Sequence, residues 1–324
     1  MKIRINDKET EVSEGEKVIE VARRLGIGIP ALCYAPGFKH RASCMVCVVK
    51  ELTGGRMIPA CSTPVAEGMD IQTESEEVKQ LRAMSLELLL SDHRADCEAP
   101  CSTVCPYGLD IELMLGLYDT GRLEEAHALI AAAFALPVLG CEGCKVPCEK
   151  ACRRASVDKA VPIRTVIGEL AKKHEPPRVE TKAKTKKETE EAILFQSRLG
   201  RFTESEKELL KDSVTTPSGC LHCACEGREG CKLRLYSAEA GIKRTRYEMS
   251  SASPAMTKLR VTDTIRFEPA KCIKCGLCVY NSNDGFTFSD RGFGMQVVLP
   301  AESAGNVGAS LCEICPTGAL YIGK

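Results

Sequence analysis

The sequence predicts an α+β protein of several small domains, not one large core, and three observations carry that expectation. Cysteine is heavily used, 20 of 324 residues, and falls in tight groups along the whole chain. Aromatic residues make up only 5% and Trp is absent, which suits small modules built around a cofactor. The hydrophobic pattern also changes along the chain, from strand-like alternation at the start to helical periodicity in the middle, broken by a charged stretch.

Composition removes several function classes. Lys+Arg and Asp+Glu both number 44, so the formal charge is zero, unlike the basic balance of a nucleic-acid binder. The start, MKIRINDKET, is polar and carries no signal-peptide apolar region. No apolar run approaches the ~18 residues of a membrane span; the longest lies around Leu129–Leu139. A cytoplasmic location is therefore expected, where clustered cysteines mean metal sites and not disulfides. Zinc sites commonly mix in His and come as C-x2-C pairs. Only five His accompany the twenty Cys, so iron–sulfur clusters are the expectation.

Residues 1–75 read as the first domain. KIRIN and ETEV alternate about a turn at Asp7–Lys8 and predict a β-hairpin. Ser13 and Glu16 have capping-box spacing before a helix Glu16–Leu25 that places Val18, Val21, Ala22 and Leu25 on one face, with Gly26 as its stop. Then come Cys33, Cys44, Cys47 and Cys61, spaced x10, x2 and x13, with the strand-like VCVVKEL between. A long gap, a tight pair and a distant fourth thiolate suit a [2Fe-2S] rhomb held by a loop and a strand. Gly26-x-Gly28-x-x-Ala31 matches a dinucleotide fingerprint only as a string. It follows a helix, holds Pro30 and runs into Cys33, so it reads as a turn.

Residues 76–171 form the second predicted domain. EEVKQLRAMSLELLLSD is a helix that delivers His93. Seven cysteines follow in two groups, Cys97, Cys101 and Cys105, then Cys141, Cys144, Cys148 and Cys152, separated by helices Ile111–Asp119 and Arg122–Ala135. Two groups around a folded spacer suggest two cubanes that share ligands between the groups. Residues 172–192 are charged, hold two prolines and read as a solvated linker.

The last region, 193–324, starts with Thr203 and Glu206 capping a helix Glu204–Lys211. Cys220, Cys223, Cys225 and Cys231 then form a group that can close a [4Fe-4S] cubane, with His222 reading as a bystander because four thiolates already suffice. Cys272, Cys275 and Cys278 at x2 spacing, with Cys315-Pro316 far downstream, form the last set, and Cys312 is left over as a packing thiol or substitute ligand.

Three resemblances give these groups names. GIPALCY, SCMVCVV, PACSTPV and GMDIQT resemble the plant-type ferredoxin β-grasp domain that opens the large iron–sulfur subunit of NADH:quinone oxidoreductases and many iron-only hydrogenases. In those relatives a His three residues before a Cys ligates a cubane, and His93-x3-Cys97 keeps that spacing; the other reading of His93 is a helix-end residue. CEAPCSTVCPYGLDI and CEGCKVPCEKACRR resemble the α-helical double-cubane domain of glutamate synthase small subunits and dihydropyrimidine dehydrogenase. That resemblance implies one cubane on Cys97, Cys101 and Cys152, with His93 the candidate fourth ligand. It implies a second on Cys105, Cys144 and Cys148, completed by Cys141 or by a non-cysteine group near Ile167–Glu169. The C-terminal set resembles a bacterial ferredoxin that has kept one cluster, on Cys272, Cys275, Cys278 and Cys315.

The expected content is one [2Fe-2S] and about four [4Fe-4S] clusters. No catalytic residues and no nucleotide or flavin site are visible. The resemblances imply an electron-transfer subunit of an NAD(P)H-linked oxidoreductase of the hydrogenase, formate dehydrogenase, transhydrogenase or bifurcating type, working in anaerobic metabolism. A flavoprotein partner would hold FAD or FMN, and a further redox subunit would take the electrons. The alternatives are a stand-alone multi-cluster ferredoxin-like shuttle or a structural metal-binding interaction protein.

Overall fold

Asn6 and Asp7 both lie at positive φ, 46° and 65°, and so form the two central residues of a hairpin turn. They join β1 (Lys2–Ile5) to β2 (Lys8–Glu11), which pair antiparallel with Ile5 opposite Lys8. The turn is therefore one residue earlier than Asp7–Lys8. A tight hairpin of this hand needs left-handed backbone at both turn positions, which Asn and Asp adopt more readily than Lys. The computed structural model describes residues 1–94, 96–134, 141–173, 204–227, 229–242, 246–247, 258–300, 302–303 and 307–323.

Helix α1 (Val18–Arg24) begins later than the capping-box spacing suggested. Glu16 does reach back to the Ser13 backbone N–H (2.7 Å), but Glu20 makes the same contact with Lys17 (2.9 Å), and that second box sets the first turn. Gly26, at φ +74°, ends the helix: its N–H donates to the Arg23 carbonyl and that of Ile27 to the Ala22 carbonyl. The fingerprint-like Gly26 string is thus a helix stop. Strands β3 (Val48–Glu51), β4 (Arg56–Pro59) and β5 (Asp70–Gln72) complete a mixed sheet of order β2-β1-β5-β3-β4, with β1 and β5 parallel. Ser75 caps α2 (Glu76–Ser91) by accepting from the Val78 N–H. Val78, Arg82, Leu86 and Leu90, four residues apart, are its buried stripe.

Two compact units divide the chain. One comprises Met1–His93 and Glu226–Lys324, and the other, Arg94–Cys225, is inserted between those segments. The units are not consecutive in sequence, whereas the sequence reading divides the chain into successive stretches. The inserted unit holds α3 (Pro100–Thr103), α4 (Ile111–Asp119), α5 (Leu123–Phe134), α6 (Pro147–Lys150), α7 (Ile163–Lys173) and α8 (Glu204–Ser213). Asp110 caps α4, and Gly121 at φ +75° turns the chain from α4 into α5. Met114, Leu115, Ile130, Ile163 and Ile167 form an apolar centre against which Cys101, Cys148 and Cys220 pack. The predicted linker beyond residue 173, the Thr203 cap and the 135–139 end of the apolar run lie outside the described residues.

The second segment of the first unit adds α9 (Lys232–Glu239), β6 (Leu259–Arg260), β7 (Ile265–Phe267), α10 (Leu277–Asn281), β8 (Thr287–Ser289), β9 (Gln296–Val298), α11 (Ser310–Ile314) and β10 (Leu320–Ile322). The order β10-β7-β6 makes a small antiparallel sheet, and β8 pairs with β9. Phe267, Phe286, Leu277 and Leu311 fill the core between them. Among the described residues no helix is long and apolar enough to cross a membrane.

Arg94 opens the inserted unit and forms a two-pronged ion pair with Glu206 of α8, both hydrogen bonds 2.9 Å and both side chains buried. Removing one charge leaves the other buried and uncompensated. Glu206→Gln should therefore cost about 3–5 kcal/mol, read as a lower urea midpoint for the anaerobic, metal-loaded protein. An unchanged midpoint would show that the pair does not hold α8.

Candidate metal centres

The first thiol set is built by the loop after α1 and the start of β3. Cys33, Cys44, Cys47 and Cys61 are all buried. Their thiols interact directly, Cys33 with Cys44 and Cys61, and Cys47 with Cys61. Cys33 and Cys47, hydrogen-bonded by neighbouring thiols, are held below the ordinary thiol range, and Cys44 and Cys61 above it. The Ser43 N–H points to Cys33 Sγ at 3.5 Å, and Met45, between Cys44 and Cys47, sits at φ 54°.

The C-terminal set repeats this construction. Cys272, Cys275 and Cys278 lead into α10, and Cys315 follows α11; each of the first three feels the charge of Cys315. Burial pushes Cys272 up to about 12. Lys274 lies at φ 57° and its N–H points to Cys272 Sγ at 3.3 Å, while the Leu320 N–H points to Cys315 Sγ at 3.4 Å. Gly276 needs to be glycine: at φ +79°, a Cβ there would stand 2.6 Å from the Tyr280 ring. Cys312 lies beside Cys315, and burial raises it to about 11. This set and the first belong to the same unit and are neighbours. Cys275 feels the charge of Cys33. The Lys39 N–H donates to Asn281 Oδ1 (2.9 Å) and Asn281 Nδ2 donates back to the Lys39 carbonyl (2.8 Å).

Two cavities in the inserted unit are each ringed by four cysteines. The first is lined by Cys105, Cys141, Cys144 and Cys148. Cys105 raises both Cys141 and Cys148, whose thiols burial pushes to about 11. Val146, between Cys144 and Cys148, is left-handed at φ 53°, and the Arg164 guanidinium donates to the Cys144 carbonyl. Of the alternative donors, Ile167 meets this cavity with an apolar side chain and Glu169 is exposed.

The second cavity is lined by Cys101, Cys152, Cys220 and Cys223, with Arg153 and Arg154 beside them. The sequence reading divides these four between two centres, Cys101 and Cys152 with His93 and Cys97, and Cys220 and Cys223 with Cys225 and Cys231. The structure brings them together because the loop 218–223 folds back onto α4. Cys225 instead donates its backbone N–H to the Cys97 carbonyl (3.4 Å), and Cys231 Sγ accepts from the Arg234 N–H at the start of α9. His93 is buried at the end of α2, where its ring shares a hydrogen bond with the Lys271 backbone. Burial and the Lys271 charge lower it to about 4, which leaves the imidazole neutral, as a metal ligand must be.

The donor chemistry fits iron–sulfur clusters. Among the described residues the cysteines form no disulfide, and no three or more His, Cys, Asp or Glu side chains are gathered closely enough for a single metal ion. Burial works against ionising most of these thiols, and a cationic iron core reverses that penalty.

Comparison with known proteins agrees with this chemistry. Residues 1–76 match the 2Fe-2S iron-sulfur cluster binding domain family, and residues 74–175 match dihydropyrimidine dehydrogenase domain II, 4Fe-4S cluster. Similar curated proteins include the NADP-reducing hydrogenase subunit HndD of Solidesulfovibrio fructosivorans, 37% identical over 46% of this chain and 27% of that protein. An NADH-quinone oxidoreductase subunit of Rhizobium meliloti is 35% identical over 38% of this chain and 14% of its own length. The NADPH-Fe(3+) oxidoreductase subunit alpha of Geobacter sulfurreducens is 30% identical over 39% of this chain and 14% of its own length. The chain thus spans about a quarter or less of the length of these relatives. The crystal structure of an NAD+-reducing [NiFe]-hydrogenase in the H2-reduced state shares the fold at a TM-score of 0.52 and 16% identity, over 99% of this chain and 86% of that one.

The one [2Fe-2S] and about four [4Fe-4S] clusters expected from the sequence would amount to about 18 irons per chain, with matching acid-labile sulfide. Anaerobic metal and sulfide assays check this, and stoichiometric zinc with little sulfide would refute it. Cys312→Ser should leave both the iron count and the C-terminal cluster's EPR signal unchanged, since Cys272, Cys275, Cys278 and Cys315 already supply four thiolates. Loss of about four irons in that variant would make Cys312 a ligand.

Proposed function

We propose that this chain is the iron–sulfur electron-transfer subunit of a cytoplasmic multisubunit NAD(P)H-linked oxidoreductase, relaying single electrons between a flavin on a partner and another redox centre. A plant-type ferredoxin β-grasp domain, an α-helical double-cubane domain and a bacterial-ferredoxin-like domain would carry the relay. One [2Fe-2S] cluster would lie on Cys33, Cys44, Cys47 and Cys61. [4Fe-4S] clusters would lie on Cys105, Cys141, Cys144 and Cys148, and on Cys272, Cys275, Cys278 and Cys315. When bound, such clusters supply one-electron storage, at potentials set by net charge, solvent exposure and hydrogen bonds to sulfur.

The observation that carries this reading is the contact between the first and last thiol sets. The reciprocal Lys39–Asn281 hydrogen bonds fix the loop after Cys33 against α10, the helix that holds Cys278. Arg41 also lies over the Tyr280 ring, 5.2 Å from its centroid, and Ala35 packs into the C-terminal core. Two centres held this way need no diffusional encounter to exchange an electron. A structural metal protein gains nothing from that closeness, whereas a conductor depends on it.

The flavin assignment follows from hydride chemistry. NAD(P)H delivers two electrons at once, and a flavin divides them into single steps that iron–sulfur centres can accept. The purified chain alone should therefore reduce no dye with NADH or NADPH, while dithionite bleaches its visible absorption. Adding the flavoprotein that co-purifies with it should give rapid NAD(P)H-dependent bleaching. Robust NAD(P)H–dye activity from the flavin-free chain would overturn the division of labour.

A further inference from the structure

We propose that Cys101, Cys152, Cys220 and Cys223 together hold one [4Fe-4S] cluster, with half its ligands supplied by the loop 218–223, downstream of the segment that resembles a double-cubane domain. The inference rests on the electron-transfer reading for the cluster's role, but not for its ligands. Neither His93 nor Cys97 belongs to this centre.

Three observations converge on it. The four thiols line one cavity, and their charges act on one another: Cys220 and Cys152 on Cys101, Cys152 on Cys220, and Cys101 and Cys220 on Cys223.

The Cys220-x2-Cys223 turn also has the backbone of a cluster-binding turn. His222 lies at φ 46° and its N–H points to Cys220 Sγ at 3.4 Å. Lys274 in Cys272-x2-Cys275 does the same, at φ 57° and 3.3 Å. Left-handed backbone at a residue with a Cβ is strained and persists where the surroundings impose it.

The loop is, finally, fastened to the other two ligands' elements. Ser218 donates to both oxygens of Asp119 on α4, from its N–H (2.6 Å) and its hydroxyl (2.7 Å). The His222 ring bridges Glu112 and Asp119, in the first and last turns of α4, at 3.2 Å each. Arg154, two residues after Cys152, donates to the Gly219 carbonyl. Gly219 leaves no room for a side chain: at φ +70°, a Cβ would clash with the Arg154 guanidinium. A loop held by α4 and by the Cys152 segment presents Cys220 and Cys223 to Cys101 and Cys152.

The arrangement also sets the local charge. Arg154 lies in the field of Cys152 and Cys220, and Arg153, paired with Asp96 at 2.8 and 2.9 Å, in that of Cys223. Guanidinium groups beside the cluster favour its reduced, more negative state and should raise its potential.

The test uses the full chain, purified anaerobically, with iron counting and EPR of the dithionite-reduced protein, so it does not depend on a partner. Cys101→Ser and Cys220→Ser should remove or alter the same [4Fe-4S] signal, and Cys223→Ser that signal too. Cys225→Ser should leave it in place. Should the cysteine variants fail to fold, Arg154→Ala provides a readout without touching a ligand: one cubane's midpoint potential should fall while the others stay fixed. The proposal is overturned if Cys220→Ser and Cys225→Ser abolish one signal while Cys101→Ser abolishes another, or if Arg154→Ala leaves every potential unchanged. In either case the iron content and the electron-transfer reading survive.

Discussion

Buried sulfur gathered in groups is the constraint on which this structure depends. Burial raises many of the thiols, Cys220 and Cys272 to about 12 and Cys101, Cys275 and Cys278 further, because a buried thiolate loses its hydration. The protein nevertheless brings them together in fours and packs apolar side chains around them. Leu115, Ile163 and Ile167 enclose the two four-cysteine cavities of the inserted unit, where a domain of this size would otherwise place large aromatics. With few aromatics to bury, each unit's centre would be completed by a cationic iron–sulfur core, which would couple metal loading to folding.

The backbone is shaped to the same end. Met45, Val146, His222 and Lys274 are all left-handed, and each lies inside a short interval between two cysteines. Turning the chain there points successive N–H groups inward, toward sulfur, as at Cys220 and Cys272. Glycine would adopt the conformation more cheaply, so at these positions the enclosing structure over-determines the turn. N–H groups aimed at sulfur also favour the more negative, reduced state, which connects a local backbone choice to the potential of a centre.

Much of this was legible in the sequence, because much of it is local. The Ser13–Glu16 contact, the Gly26 helix stop, the α2 stripe and the α4–α5 pair all follow from patterns within a few residues of one another. The first hairpin was legible to within one residue, and the shift came from turn chemistry: Asn6 and Asp7 take the positive-φ positions, which suit them better than Lys8. The spacing of each cysteine pair likewise announced a metal-binding turn. What spacing does not encode is which turns meet. Cys220 and Cys223 are adjacent in sequence to Cys225 and Cys231, and proximity along the chain grouped the four. The partners that separate them in space are Glu112, Asp119 and Arg154, between 65 and 110 residues away from the groups they hold. A tight C-x-C step was the one available hint, since Cys223 and Cys225, two apart along the chain, need not converge on one centre when the turn that aims Cys223 ends between them.

The insertion of one unit into the other follows the same logic. Asp96 bridges in parallel to Ala224, and the Cys225 N–H donates to the Cys97 carbonyl, so the inserted unit's two ends lie side by side. An excursion that returns to its starting point can be added without separating the segments on either side of it. Cysteines at such a junction are adjacent in space whatever the length of chain between them, and spacing along the chain does not report that closeness. In the centre proposed on Cys101, Cys152, Cys220 and Cys223, the local turn would fix the posture of each thiol, and polar side chains far away in sequence would decide which thiols meet.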